Sequence, residues 1–191
     1  MTNEKTASSR AIDHVLDPDR PWIGSAYCKT SGVLVLGESY VGTYDDDSEY
    51  DDVYWKQCLE SRRTDPLFDA LQTKLGIPAS TWWPEIAFTN LHIGSIGPTT
   101  LTVVTKAQLR SGLPRLGRLL DRLQPRGVLL LGASTRDAAG PFLDMRGITW
   151  RWVYHPSGKN NRMHGGRYAC KAEELQAAWK DLSTVTSSHS Q

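Results

Sequence analysis

The stretch Gly32-Val33-Leu34-Val35-Leu36-Gly37 decides how the rest of the chain is read. Four consecutive apolar residues lie between glycines, with valines alternating with leucines. The run is too short for an ordinary helix and lacks the apolar–polar alternation of a strand with one wet face. It predicts a strand buried on both faces, the pattern of a parallel sheet covered by helices. Val128-Leu129-Leu130-Leu131, closed by Gly132, repeats this signature. Ile86-Ala87-Phe88-Thr89-Asn90-Leu91 and the aromatic, β-branched run from Ile148 to Tyr154 supply two more strands.

Helical patterns separate these runs. Val53 to Glu60 has apolar positions compatible with a helix. Thr64 can cap a second one, Asp65 and Pro66 suit its first turn, Leu67, Phe68, Leu71 and Leu75 share a face, and Gly76 ends it. Between Ala107 and Leu123 leucines recur at three- and four-residue spacing. Pro114 interrupts them, so the regular helix is expected to begin near Pro114 with a separate turn before it. Ser134 is expected to cap a helix through Ala139, and a closing helix runs from Ala172 to Leu182. Strands alternating with helices imply right-handed crossovers. The expected fold is α/β, a three-layer α/β/α arrangement around a central four-stranded parallel sheet.

The 191 residues suit one domain, expected over 31–182, with 1–30 packing on it as a helical or extended segment and 183–191 a disordered tail. With 39% hydrophobic and 23% charged residues, composition excludes collagen and coiled coil. No apolar run approaches the ~18 residues of a spanning helix. The first ten residues lack the apolar core of a secretion signal, so no membrane association is expected and the cytoplasm is the expected compartment. Three well-separated cysteines, Cys28, Cys58 and Cys170, read as reduced thiols, with neither a disulfide framework nor a Cys-x-x-Cys metal site.

Charge is distributed unevenly. From Lys106 to Lys171 thirteen basic residues face three acidic ones, a net +10 in a chain whose total is +1. A basic surface attracts phosphate polyanions. The alternative is an ordinary solvated helix face, since Arg115, Arg118 and Arg122 sit at helical spacing.

In parallel α/β sheets ligands bind beyond the carboxyl ends of the strands. The residues there are Gly37-Glu38-Ser39-Tyr40, Thr89-Asn90-Leu91-His92, Gly132-Ala133-Ser134 and His155-Pro156-Ser157-Gly158. Gly37 lets the backbone turn and approach a ligand. Asn90 carries an amide donor and a carbonyl acceptor, able to read the N3–H and O4 edge of a pyrimidine. His155 follows a strand directly, with Pro156 restricting the backbone beside it.

Taken together, Val35-Leu36-Gly37-Glu38-Ser39-Tyr40, Phe88-Thr89-Asn90-Leu91 and Tyr154-His155-Pro156-Ser157-Gly158 resemble, in order and spacing, the motifs of the uracil-DNA glycosylase superfamily. The resemblance covers roughly Val33 to Tyr168. It implies a monofunctional DNA glycosylase that hydrolyses the N-glycosidic bond of uracil or another deaminated base, in base excision repair. It also implies that Gly37, Tyr40, Tyr44 and Asn90 form the base pocket, with Asn90 reading the base edge and Tyr44 closest to the family's stacking position. His155 would stabilise the leaving base, Ser157, Lys159, Arg162 and Arg167 would hold the DNA backbone, and Met163 would fill the vacated space in the duplex. Other stacking candidates are Trp82 and Trp83; His92 could line the rim, and His164 reads as a loop residue.

The family commonly carries aspartate or asparagine where this chain has Ser39, so the catalytic set is taken as His155, Ser39 and Glu38. Iron–sulfur members also begin this motif with Gly-Glu, but they use four cysteines where this chain has three. No metal and no cofactor are implied; the expected partner is single-stranded or duplex DNA with a flipped base, bound by a monomer. The competing expectation is a glycosylase-like protein that binds DNA or a nucleotide without turnover. An unrelated nucleotide-binding protein is disfavoured, because neither Gly-x-x-x-x-Gly-Lys-Ser/Thr nor Gly-x-Gly-x-x-Gly follows the first strand.

Overall fold

In the computed structural model the described residues are 21–29, 32–39, 66–93, 104–157 and 170–184. Their strands are β1 (Trp22–Ile23), β2 (Val33–Gly37), β3 (Ile86–Asn90), β4 (Gly127–Leu131) and β5 (Trp150–Val153). They form one sheet in the order β1-β3-β2-β4-β5. β3, β2, β4 and β5 run parallel, while β1 lies antiparallel on the outer edge of β3, Trp22 opposite Phe88. The protein is therefore an α/β fold with a five-stranded, mixed, mostly parallel sheet flanked by helices. This corrects the expected four-stranded, all-parallel sheet. β1 has only two paired residues, too few for a periodicity to show in sequence, yet it covers backbone groups that β3 would otherwise leave open.

The helices are α1 (Pro66–Leu75), α2 (Ala79–Trp82) with a 3₁₀ turn at Trp83–Glu85, α3 (Lys106–Ser111), α4 (Leu113–Leu123), α5 (Ala133–Met145) and α6 (Ala172–Thr184). Because side chains alternate along a strand, β2 feeds two separate cores. Val33 and Val35 pack with Phe68, Leu71 and Leu75 of α1 and Leu175 and Leu182 of α6. Leu34 and Leu36 pack with Leu116, Leu119 and Leu120 of α4 and Leu143 of α5. All five β2 residues are buried, as the opening stretch predicts.

Several boundaries differ from expectation for identifiable reasons. The segment before Pro114 is a helix of its own, α3, started by a capping box: the Gln108 N–H donates to Thr105 Oγ1 at 3.2 Å and the Thr105 N–H to Gln108 Oε1 at 2.9 Å. α5 is preceded by Gly132, not capped by Ser134, and it runs past Ala139 to Met145 despite Pro141. Packing explains the extension, since Leu143 is fully buried and Gly140 lies against the Trp150 ring. α6 ends at Thr184, beyond the expected Leu182, with the Thr184 hydroxyl donating to the Lys180 carbonyl at 3.0 Å. The helix expected at Val53 to Glu60 lies outside the described residues.

Candidate functional site

The order of the parallel strands puts the reversal of direction between β2 and β4: from β2 the chain moves outward to β3, then crosses back to β4 and β5. The loops leaving β2 and β4 therefore diverge and open a crevice at their carboxyl ends. Glu38 and Ser134 span it. Glu38 is half-buried, and burial pushes its carboxyl above the ordinary glutamate range, while a hydrogen bond with Ser134 pulls it partly back. The Glu38 backbone is tied to the other neighbour: the Leu91 N–H donates to the Gly37 carbonyl at 2.9 Å and the His92 N–H to the Glu38 carbonyl at 3.0 Å. Parallel pairing thus continues one step beyond both strands, and the Gly37-Glu38 and Asn90-His92 segments emerge side by side.

Gly37 and Asn90 are register partners on β2 and β3. A Cβ at position 37 would collide with the Asn90 Oδ1, so the glycine leaves the space in which the carboxamide lies. Asn90 is 5% exposed. Its main chain is held from the other face of the sheet by Arg115 of α4, whose Nη1 donates to the Asn90 carbonyl at 3.0 Å and whose Nη2 donates to Thr89 Oγ1 at 2.6 Å. Arg115 is itself buried, at 7% exposure, whereas Arg118 and Arg122 are exposed. This corrects the reading of all three as one solvated face. The available signal was position: Arg115 lies four residues before Leu119, within the leucine stripe.

His155 follows β5 and is half-buried beside a buried Pro156. Its Nδ1 lies 2.9 Å from Ser157 Oγ. With the serine hydroxyl donating, the ring proton resides on Nε2, the tautomer that can donate to an anion. Ser157, expected on the DNA backbone, lies within hydrogen-bond distance of the imidazole. Ser39 is half-buried next to Glu38. Asn90 and His155 lie at the same edge of the sheet on strands three spacings apart, about 14 Å at ~4.8 Å each.

Other expected site residues divide into two groups. Tyr40, Tyr44, Lys159, Arg162, Met163, His164 and Arg167 lie outside the described residues. Trp82 and Trp83 are buried core residues, stacked on each other at 4.4 Å and unsuited to receiving a base. Their spacing and aromatic character look alike in a core and in a pocket, and only burial separates the two. Part of the basic excess is likewise structural: Arg146 pairs with Asp121, Arg151 with Asp181, and Arg136 pairs with Asp137 while covering the Trp152 ring at 4.2 Å. Among the described residues no cluster of three His, Cys, Asp or Glu side chains could hold a metal. A polar depression of about 190 Å³ lined by Ala26, Cys28, Gly32, Glu85 and Arg126 sits at the opposite, amino-terminal edge of the strands, away from this chemistry.

The chain matches no protein-family model and no curated protein. Among solved structures it is similar to a sigma-54 interaction domain protein from Enterococcus faecalis, at 14% identity and a TM-score of 0.32, over 81% of this chain and 88% of that one. So low a score carries no argument about function.

Proposed function

We propose that the protein is a monofunctional DNA glycosylase of the uracil-DNA glycosylase type, hydrolysing the N-glycosidic bond of uracil or another deaminated base. The observation that carries this reading is the Gly37–Asn90 contact. Two motifs separated by about fifty residues of sequence meet side chain to backbone, with the carboxamide lodged in the space the glycine leaves. In this reading the helices form the outer layers of a three-layer α/β/α fold around the four parallel strands, with β1 added at the edge.

The chemistry assigned to each group follows from its surroundings. Asn90 offers a donor and an acceptor to the edge of an extruded base. Water attacks C1′ while the glycosidic C1′–N bond breaks and its electron pair leaves with the base; the water proton passes to the Glu38 carboxylate. A raised carboxyl pKa strengthens Glu38 as a base, once it is ionised. Charge on the departing base is met by the Nε2 proton of His155, set by the Ser157 hydroxyl. Ser39 borders the same loop and can hydrogen-bond the water but cannot take its proton at neutral pH. No lysine is assigned a Schiff-base role, so strand cleavage is not expected. The exposed Lys106 and Arg110 of α3, with Lys159, Arg162 and Arg167, supply positive charge for the DNA backbone.

The test is release of free base from labelled single-stranded and U·G duplex oligonucleotides. Release by the wild type, and its loss in His155→Ala, is the expected result. Binding without release across uracil, hypoxanthine, xanthine and mismatched substrates would replace this reading with that of a DNA-binding protein without turnover, which Ser39 in place of a carboxylate or carboxamide favours.

A further inference from the structure

We propose that Arg115 is a positioning residue for Asn90, fixing the angle at which its carboxamide meets a nucleobase. The proposal rests on the base-reading role of Asn90 given above. A buried guanidinium is costly to desolvate and persists where its hydrogen bonds are well made. Here it spans the last two residues of β3, one nitrogen on the Asn90 carbonyl at 3.0 Å and the other on the Thr89 hydroxyl at 2.6 Å. Thr89 and Asn90 point to opposite faces of the sheet, so the fork grips the strand from the face away from the carboxamide. The β2 side of the same residue is fixed by register with Gly37, and the Leu91 N–H on the Gly37 carbonyl holds the next peptide. The peptide that carries the Asn90 side chain is therefore clamped from α4 on one side and from β2 on the other. Base discrimination by a two-point amide contact depends on such rigidity, because rotation of the strand end moves donor and acceptor together.

Arg115→Lys keeps the charge but loses the planar fork. The expected result is a folded protein whose kcat/KM for base release falls roughly tenfold to a hundredfold, the scale of a hydrogen bond to a charged group. In an Asn90→Ala background the same substitution should cost less than about threefold, because nothing remains to be positioned. Independently of activity, the backbone amides of Asn90 and Leu91 should lose order in Arg115→Lys, from an NMR order parameter near ~0.85 to below ~0.6. Thr89→Val removes one prong only and serves if the lysine variant does not fold; it should act in the same direction. Full activity in folded Arg115→Lys, or an equal loss in both backgrounds, would overturn the proposal. If the wild type releases no base at all, the glycosylase reading fails by itself, and the order parameters alone decide whether Arg115 holds Asn90: unchanged values overturn it.

Discussion

Asn90 Oδ1 lies where a side chain on Gly37 would have to be, so the two residues are complementary: a carboxamide on β3 and an absent side chain on β2. They are register partners in a parallel pair, so a side chain added at position 37 must displace the carboxamide. This separates function from stability. In Gly37→Ala the new methyl meets the end of a side chain, with Phe88 Cζ next at 3.3 Å, so the carboxamide turns aside instead of the strands parting. The expected destabilisation is about 1–2 kcal/mol, the lower part of the range for overpacking. Base release should fall by a larger factor than stability predicts, as measured by urea unfolding beside single-turnover kinetics.

Glu38 should make stability depend on pH. Its carboxyl titrates above the ordinary 4.5 in the folded protein because burial disfavours the charge. The folded state then holds the proton more tightly than the unfolded state. The stabilisation is complete below the ordinary value and is lost as pH rises through the folded value. Glu38→Gln has no such loss. Melting temperatures of the two proteins compared from pH 4 to pH 8 should diverge in favour of the glutamine variant as pH increases, and a constant difference would refute the assignment. Base release by the wild type should rise over the same interval, since the ionised form accepts the water proton.

His155 and Ser157 are expected to differ in degree. Removing the imidazole in His155→Ala deletes the donor to the departing base and should slow single-turnover release by roughly a hundredfold or more. Ser157→Ala leaves the ring and removes the hydroxyl 2.9 Å from Nδ1, so the tautomer is no longer set. About tenfold slowing is expected there, smaller than the loss in His155→Ala.

Gly132 carries a purely conformational constraint. Its φ of 101° and ψ of 152° lie in a region open essentially to glycine, and no atom of the described residues would touch a Cβ placed there. Gly132→Ala should therefore destabilise the fold by about 1–3 kcal/mol through the backbone alone. Equilibrium urea unfolding measures it, and an unchanged midpoint would show that the turn can relax.

The parallel strands were legible because burial on both faces leaves an unbroken apolar run, a pattern that survives reading one residue at a time. Val33 to Leu36 and Val128 to Leu131 are of this kind. The capping box at Thr105 and Gln108 is equally local in its chemistry, but in sequence Pro114 is the stronger signal for a helix start and masks it. β1 was out of reach: a two-residue strand exists only because β3 offers an edge to pair with. Ser134 shows the same limit within the site. As a single residue it suits a helix cap, but the topology sets its hydroxyl against Glu38, and the turn at Gly132 starts the helix earlier.

By itself the sequence determined the alternation of buried strands and amphipathic helices, and with it which residues lie at strand ends, because both follow from local patterns of apolar residues. Tertiary structure alone decided that Gly37 borders Asn90, that Glu38 reaches Ser134 across the crevice between β2 and β4, and that the guanidinium of Arg115 hydrogen-bonds Asn90 and Thr89. Those outcomes depend on strand order and register, which are fixed by how whole faces bury against one another.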